Sequence, residues 1–295
     1  MKKFLIAILS FLMVVSLAAC SSKSSEQSKE KVIKMGIVPG KNNEQLIEDV
    51  QPIADYLTQK LGVKVETFTA SSYIGVVEGI GSGSVDFGII PPFSSVLAQK
   101  QSGAKALLTA KGVDGKPGYF SEILVRKDSN INSIADLKGK KFAFVDPSSS
   151  SGYIYPGAML VENGFDLSKD ITYQFSGGHD KSLQLLLNKD VDAIGTYAGL
   201  TKKYKKEFPA GETDVRVLQR GDLVPGIIVT GSSKLDSTIQ EKLKQALLDM
   251  NNDEKVKEVF SRMFNITGFE EVDQSGYEKL EKTAKIMNVD LEKVK

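Results

Sequence analysis

The chain has one cysteine, Cys20, one histidine, His179, and no tryptophan. A lone cysteine excludes an internal disulfide. With a single histidine as well, the usual zinc ligand sets cannot be assembled, and no metal is expected. Any Ser-His-Asp triad would have to run through His179, and Gly-x-Ser-x-Gly is absent. Walker A, Gly-x-Gly-x-x-Gly and His-Glu-x-x-His patterns are absent too, so neither a cofactor nor an enzyme is expected. Net charge is as thin: 38 basic residues meet 37 acidic ones, a formal +1, which argues against a nucleic acid partner. After Cys20 no apolar run approaches the roughly 20 residues that a membrane-crossing helix needs.

What is present begins at the N-terminus. Lys2 and Lys3 precede the apolar stretch from Phe4 to Leu17, and small residues follow. That order reads as a secretory signal peptide over residues 1–19. Leu17-Ala18-Ala19-Cys20 resembles a bacterial lipobox, in which the cysteine becomes the lipid-modified first residue. Residues 20–31 are then the lipidated Cys20 and a polar tether with no apolar residue after the cysteine, too poor in apolar surface to pack. The expected location is the outer face of the cell membrane, with the lipid on Cys20 as the membrane contact.

From Val32 onward strand-like and helical patterns alternate, the signature of an α/β protein. Val32 to Val38 reads as a strand. Leu46, Val50, Ile53, Leu57 and Leu61 then recur at helical spacing up to Gly62. Val63 to Phe68 is a strand, Tyr73 to Ile80 a helix, and Val85 to Ile90 a short buried strand. The same order returns in Ile171 to Phe175, Leu183 to Leu187 and Val191 to Ile194. In both stretches the helix ends just before a Val-Asp pair, Val85-Asp86 and Val191-Asp192. This points to two similarly built lobes, residues 32–122 plus 226–295 and residues 123–225, joined by a hinge of two segments with a ligand cleft between them. Glu122 to Arg126 and Gly226 to Thr230 read as the strands that flank the second lobe, and everything after Thr230 reads as helical.

Three turns follow strands and open helices: Thr69-Ala70-Ser71-Ser72-Tyr73, Asp146-Pro147-Ser148-Ser149-Ser150-Ser151-Gly152, and Ser176-Gly177-Gly178-His179. Ligands of α/β sheets gather at the carboxyl ends of strands. There, free first-turn amides and the positive end of a helix dipole meet hydroxyl, phenol and imidazole donors, a combination suited to an anion. The plain alternative is that the serines are solvated and cap a helix, and that His179 does the same. Four or five charge-assisted hydrogen bonds at roughly 1.5–3 kcal/mol each would support a micromolar complex without any Lys or Arg in the cleft.

With these motifs in place, the chain resembles the phosphonate- and phosphite-binding proteins of ABC importers, over about Ile33 to Gly231. The motifs that carry the resemblance are Ser72-Tyr73, Gly88-Ile89-Ile90-Pro91-Pro92-Phe93-Ser94, the serine run, Gly178-His179, Asn188-Lys189-Asp190-Val191-Asp192 and Leu223-Val224-Pro225-Gly226. The resemblance implies a type II periplasmic-binding fold and a phosphonate head held by Tyr73, Ser149, Ser150, Ser151 and His179. Ser72, Pro92, Phe93 and Tyr197 are further pocket candidates. It also implies permease and ATPase partner chains, and a monomeric receptor is expected.

Relatives that bind aminoalkylphosphonates oppose the ammonium with two carboxylates. At those places this chain has Tyr197-Ala198-Gly199 and Ile227. A buried ammonium without a partner is costly, so the expected ligand is phosphite, phosphate or a short alkylphosphonate without an amine. A different small organic anion or heterocycle, a sensor module, and an enzyme on the same fold are the alternatives.

Overall fold

The computed structural model describes residues 31–294 apart from 40, 41, 113, 114 and 116. The signal peptide and the lipidated Cys20 lie outside the described residues, as does the tether apart from Lys31. The chain first builds β1 (Val32–Ile37), α1 (Asn43–Leu61), β2 (Lys64–Thr69), α2 (Tyr73–Ser82), β3 (Phe87–Ile90), α3 (Pro92–Ser102) and β4 (Lys105–Gly112). It then builds β5 (Gly118–Arg126), β6 (Lys141–Phe144), α4 (Tyr155–Glu162), β7 (Thr172–Phe175), α5 (His179–Leu187), β8 (Ala193–Tyr197), α6 (Leu200–Lys203), α7 (Ala210–Asp214) and β9 (Val215–Pro225). It finishes with β10 (Ile228–Gly231), α8 (Ser237–Asp249), α9 (Glu254–Phe264), β11 (Ile266–Glu270) and α10 (Gln274–Ile286).

Local chemistry sets these elements. The Asn42 side chain accepts from the Gln45 amide at 3.0 Å and starts α1, and Gly62, in the left-handed region at φ 68°, ends it. Between them Val50, Ile53, Leu57 and Leu61 form one buried stripe against the alternating Ile33, Met35 and Ile37 of β1.

Two mixed sheets make two lobes. One has the order β11-β4-β10-β3-β1-β2, the other β7-β6-β8-β5-β9. β1 pairs in parallel with β2 and β3, and β6 pairs in parallel with β7 and β8. The two Val-Asp pairs do the same job in each. Asp86 accepts from the Lys34 amide through its carboxylate at 2.8 Å and donates its own amide back to Lys34. Asp192 repeats this exchange with Lys141, at 3.0 Å for the carboxylate. Each aspartate thus clips the start of the third parallel strand to the first.

The chain passes from the first sheet to the second between Gly112 and Gly118 and returns between Pro225 and Ile228. β5 spans the expected lobe limit at Glu122 and hydrogen-bonds within the second sheet throughout. The crossings lie side by side: the Gly226 amide donates to Pro117 at 3.1 Å and the Ala110 amide to Ile227 at 2.8 Å. A Cβ at Gly118 would meet the Val224 carbonyl oxygen, and one at Gly226 would meet that of Ala110. Only glycine permits backbones this close.

Not everything after Thr230 is helical, against the expectation from sequence: Ile266–Glu270 pairs antiparallel with β4 at the sheet edge. Helix α10 then crosses both lobes. Its Tyr277, Leu280 and Ala284 share one cluster with Val76, Ile80, Phe93 and Leu97 of the first lobe and with Ile154 and Tyr155 of the second.

Leu280 is fully buried in that shared cluster. Its replacement by alanine lowers unfolding stability by about 2–5 kcal/mol, the range for a buried leucine. Urea melts of the two proteins measure it; a loss under about 1 kcal/mol would mean that α10 is not packed as described.

Candidate functional site

The serine run is buried from end to end. Ser148, Ser149, Ser150 and Ser151 are each at most 2% exposed. Beyond β6 the chain turns at Asp146-Pro147, and Ser150–Ile154 forms one π-helical turn that leads into α4. Such turns are frequent at functional sites. The Ser149 hydroxyl accepts from the Gly152 amide at 3.1 Å and so caps this helix start.

Asp146, Ser148 and Ser150 reach across the cleft. One oxygen of the Asp146 carboxylate accepts from the Tyr73 amide at 3.0 Å, and the other accepts from the amide and hydroxyl of Ser148, both at 2.8 Å. The Ser150 hydroxyl accepts from the Phe93 amide at 2.9 Å, and Ser94 donates to the Ser148 carbonyl at 2.9 Å. Tyr73 and Phe93 stand in the first turns of α2 and α3. Two helix N-termini of one lobe are therefore held by oxygens of the other.

Next to this contact lies a cavity of about 210 Å³ between the sheets. Of the five residues expected to hold the ligand head, Tyr73, Ser151 and His179 line it, while Ser149 and Ser150, buried in the same turn, do not. Both of the latter act as acceptors, which leaves each its hydroxyl proton. Among the further candidates Tyr197 lines the cavity. Ser72 caps α2 by accepting from the Gly75 amide at 3.1 Å, and Pro92 and Phe93 are buried at the start of α3. Pro91 takes their place on the wall.

The cavity is rich in neutral donors. Burial, and then the nearby Tyr204, Asp146 and Asp180, push the Tyr73 phenol well above its ordinary pKa, so it stays protonated. Tyr119, at the start of β5, is raised to about 12 by burial, offset in part by the nearby Ser151 side chain. His179 opens α5 after Gly177 and Gly178. Its Nδ1 lies 2.8 Å from the Thr196 hydroxyl, and its ring packs edge-on to Tyr197 with centroids 4.7 Å apart. Burial, with a smaller push from the Lys203 charge, lowers its pKa to about 3. The imidazole is neutral, and a threonine hydroxyl donating to Nδ1 leaves Nε2 protonated and able to donate to an anion. The Tyr197 hydroxyl is shielded from solvent without a hydrogen-bond partner among the described residues; the Tyr204 phenol approaches it without reaching hydrogen-bond geometry.

Sequence reasoning missed the wall residues Tyr119, Lys203 and Tyr204 among others, and needed no cation in the cleft, whereas Lys203 and Lys111 both line it. Lys111 is paired with Glu270 at 3.0 Å. Lys203 and Tyr204 belong to a lysine-rich stretch, Thr201 to Lys206, that reads as a solvated surface. Tyr119 precedes the apolar core of its strand, so alternation does not mark it. No aspartate or glutamate among the described residues lines the cavity, and Ile227 does.

Comparison with known proteins adds to this geometry. A family model described as "ABC transporter, phosphonate, periplasmic substrate-binding protein" matches residues 35–277. The chain is 32% identical over 272 residues to the phosphate-import protein PhnD of Mycolicibacterium smegmatis, covering 86% of this chain and 80% of that protein. A binding protein component of an ABC phosphonate transporter from Pseudomonas aeruginosa superposes with a TM-score of 0.80 at 22% identity, covering 88% of this chain and 87% of the other. PhnD1 from Prochlorococcus marinus in complex with methylphosphonate superposes with a TM-score of 0.77 at 21% identity, covering 88% and 99%.

The neutral imidazole has a consequence for stability. Folded, His179 takes up a proton only near pH 3; unfolded, it does so near 6.5. Between those values the unfolded state binds the extra proton, so stability falls as pH falls, by at most about 1.4 kcal/mol per pH unit. No second histidine complicates the reading. Unfolding midpoints from pH 7 to pH 5 decline in the wild type and decline less in His179→Gln; equal slopes would mean that the imidazole is solvated.

Proposed function

The chain belongs to the periplasmic substrate-binding proteins of phosphonate ABC transporters, and from that membership we propose that it captures a small phosphorus oxyanion without an amine and hands it to a permease. Phosphite, phosphate and a short alkylphosphonate are the candidates. The family is one of extracytoplasmic transport receptors, not of enzymes. In this reading Cys20 carries the lipid that keeps the receptor at the membrane, and partner chains supply the ATPase.

One observation carries the choice of ligand. Tyr73, Ser151, His179 and Tyr119 offer neutral donors to one cavity, and no carboxylate among the described lining residues opposes an ammonium. An oxyanion head is served by such donors, since hydrogen bonds to a charged group contribute roughly 1.5–3 kcal/mol each. Ser149 and Ser150 complete the head site through their remaining protons and by fixing the π turn that presents Ser151. Lobe closure around the head would make the closed form the one that a permease recognises.

A thermal-shift panel tests the proposal. At about 100 times its dissociation constant the right ligand adds about 2.7 kcal/mol to stability. Methylphosphonate, phosphite or phosphate raises the melting temperature, and 2-aminoethylphosphonate binds more weakly than methylphosphonate by calorimetry. Tighter binding of the amine, or a shift by an uncharged heterocycle alone, contradicts it. Tyr73→Phe removes one donor while keeping the ring, and weakens the complex about 10-fold or more, the equivalent of roughly 1.5 kcal/mol.

A further inference from the structure

Lys203 ends the short helix α6, which begins after Gly199, in the left-handed region at φ 88°. Its ammonium donates to the Met263 carbonyl at 2.9 Å, across the cleft. Met263 lies in the last turn of α9, where unpaired carbonyls concentrate negative potential. The ammonium is also 5.9 Å from the ring centres of both Tyr197 and Tyr204. It has no ion pair among the described residues. Asp180 and Glu207 are the carboxylates whose charges it feels, and neither lines the cavity. Lys203 is exposed as a residue, while the protein around its ammonium pushes its pKa down.

The place of this cation relative to the head matters. Tyr197 has His179 against its ring at 4.7 Å and Lys203 over its ring at 5.9 Å. The cation is therefore a short span from the neutral donors and shares one cavity with them. The cavity of about 210 Å³ equals about seven water volumes at roughly 30 Å³ each, more than a five-atom phosphate group fills. Leu46, Ile227 and Phe264 supply an apolar wall along it.

We propose that Lys203 forms a second anion subsite, so that the preferred ligand is a phosphonate whose carbon end carries a second anionic group, such as a carboxylate, on a short methylene spacer. This rests on the oxyanion reading of the site and extends it. The head takes the neutral donors, the spacer lies on the apolar wall, and the distal anion pairs with a cation that has no ion-pair partner among the described residues. The same ammonium holds the opposite lobe through Met263, so the distal anion is sensed where the lobes meet. An ammonium-bearing tail would meet like charge there.

Calorimetry on 3-phosphonopropionate, propylphosphonate and methylphosphonate tests this, with the wild type, Lys203→Gln and Lys203→Arg. The wild type binds 3-phosphonopropionate at least tenfold more tightly than propylphosphonate. That preference shrinks below threefold in Lys203→Gln and survives in Lys203→Arg, and the ratio is unaffected by any general loss of affinity. Equal binding of the two ligands by the wild type overturns the inference, as does a preference that persists in Lys203→Gln. If methylphosphonate binds and the preference is absent, only the Lys203 subsite fails. If none of the three phosphonates binds, the subsite fails, and the oxyanion reading fails with it only where phosphite and phosphate also leave the melting temperature unchanged.

Discussion

Asp146 holds the site together. Its carboxylate is almost fully buried, at 3% exposure, and every hydrogen bond it accepts comes from Tyr73 or Ser148. A buried charge without such partners costs several kcal/mol, so the position of Asp146 is strongly determined. That fixes the first turn of α2 against the serine run, and the Ser150 hydroxyl does the same for α3. Tyr73 and Ser151, from different lobes, then face one cavity. Separating the lobes would give up these bonds to water, each at a net of roughly 0.5–3 kcal/mol. A ligand therefore adds to an existing clasp, and needs less differential affinity than the roughly 5.5 kcal/mol required to carry a population from 1:99 to 99:1 unaided.

The lobe repeat was legible because one device is used twice. Asp86 and Asp192 follow valines at the ends of matching helix patterns, and each clips the third parallel strand to the first. Strands outside the repeat were harder to read. β9 lies at a sheet edge and carries Arg216, Gln219, Arg220 and Asp222, so its burial does not alternate cleanly. β11 is five residues long with a glycine inside, again at an edge, and its neighbourhood is otherwise helical. β4 begins directly after α3 and its glycine cap, with no turn signal beyond Gly103 to separate the two. Edge strands bury one face or less, and the hydrophobic period that marks a central strand is weak in them.

The site was legible to a similar depth. Tyr73, Ser151 and His179 stand at helix starts after strands, where sequence pattern locates them well. Which serine faces the cavity is decided by the π turn, which leaves Ser149 as a cap and Ser150 on the Phe93 amide. No spacing rule reports that. Lys203 was hidden by composition, one lysine among several in a polar stretch, and only the fold separates the one that enters the cleft. Its presence adds a positive charge to a lining that has no carboxylate among the described residues.

The central claim is that an oxyanion head sits where Tyr73, Ser151 and His179 converge. A crystal structure of the protein grown with methylphosphonate tests it most directly. The account predicts phosphonate oxygens within hydrogen-bond distance of the Tyr73 hydroxyl, the Ser151 hydroxyl and His179 Nε2. Density for the phosphonate elsewhere, or a bound head that leaves all three side chains untouched, would contradict it.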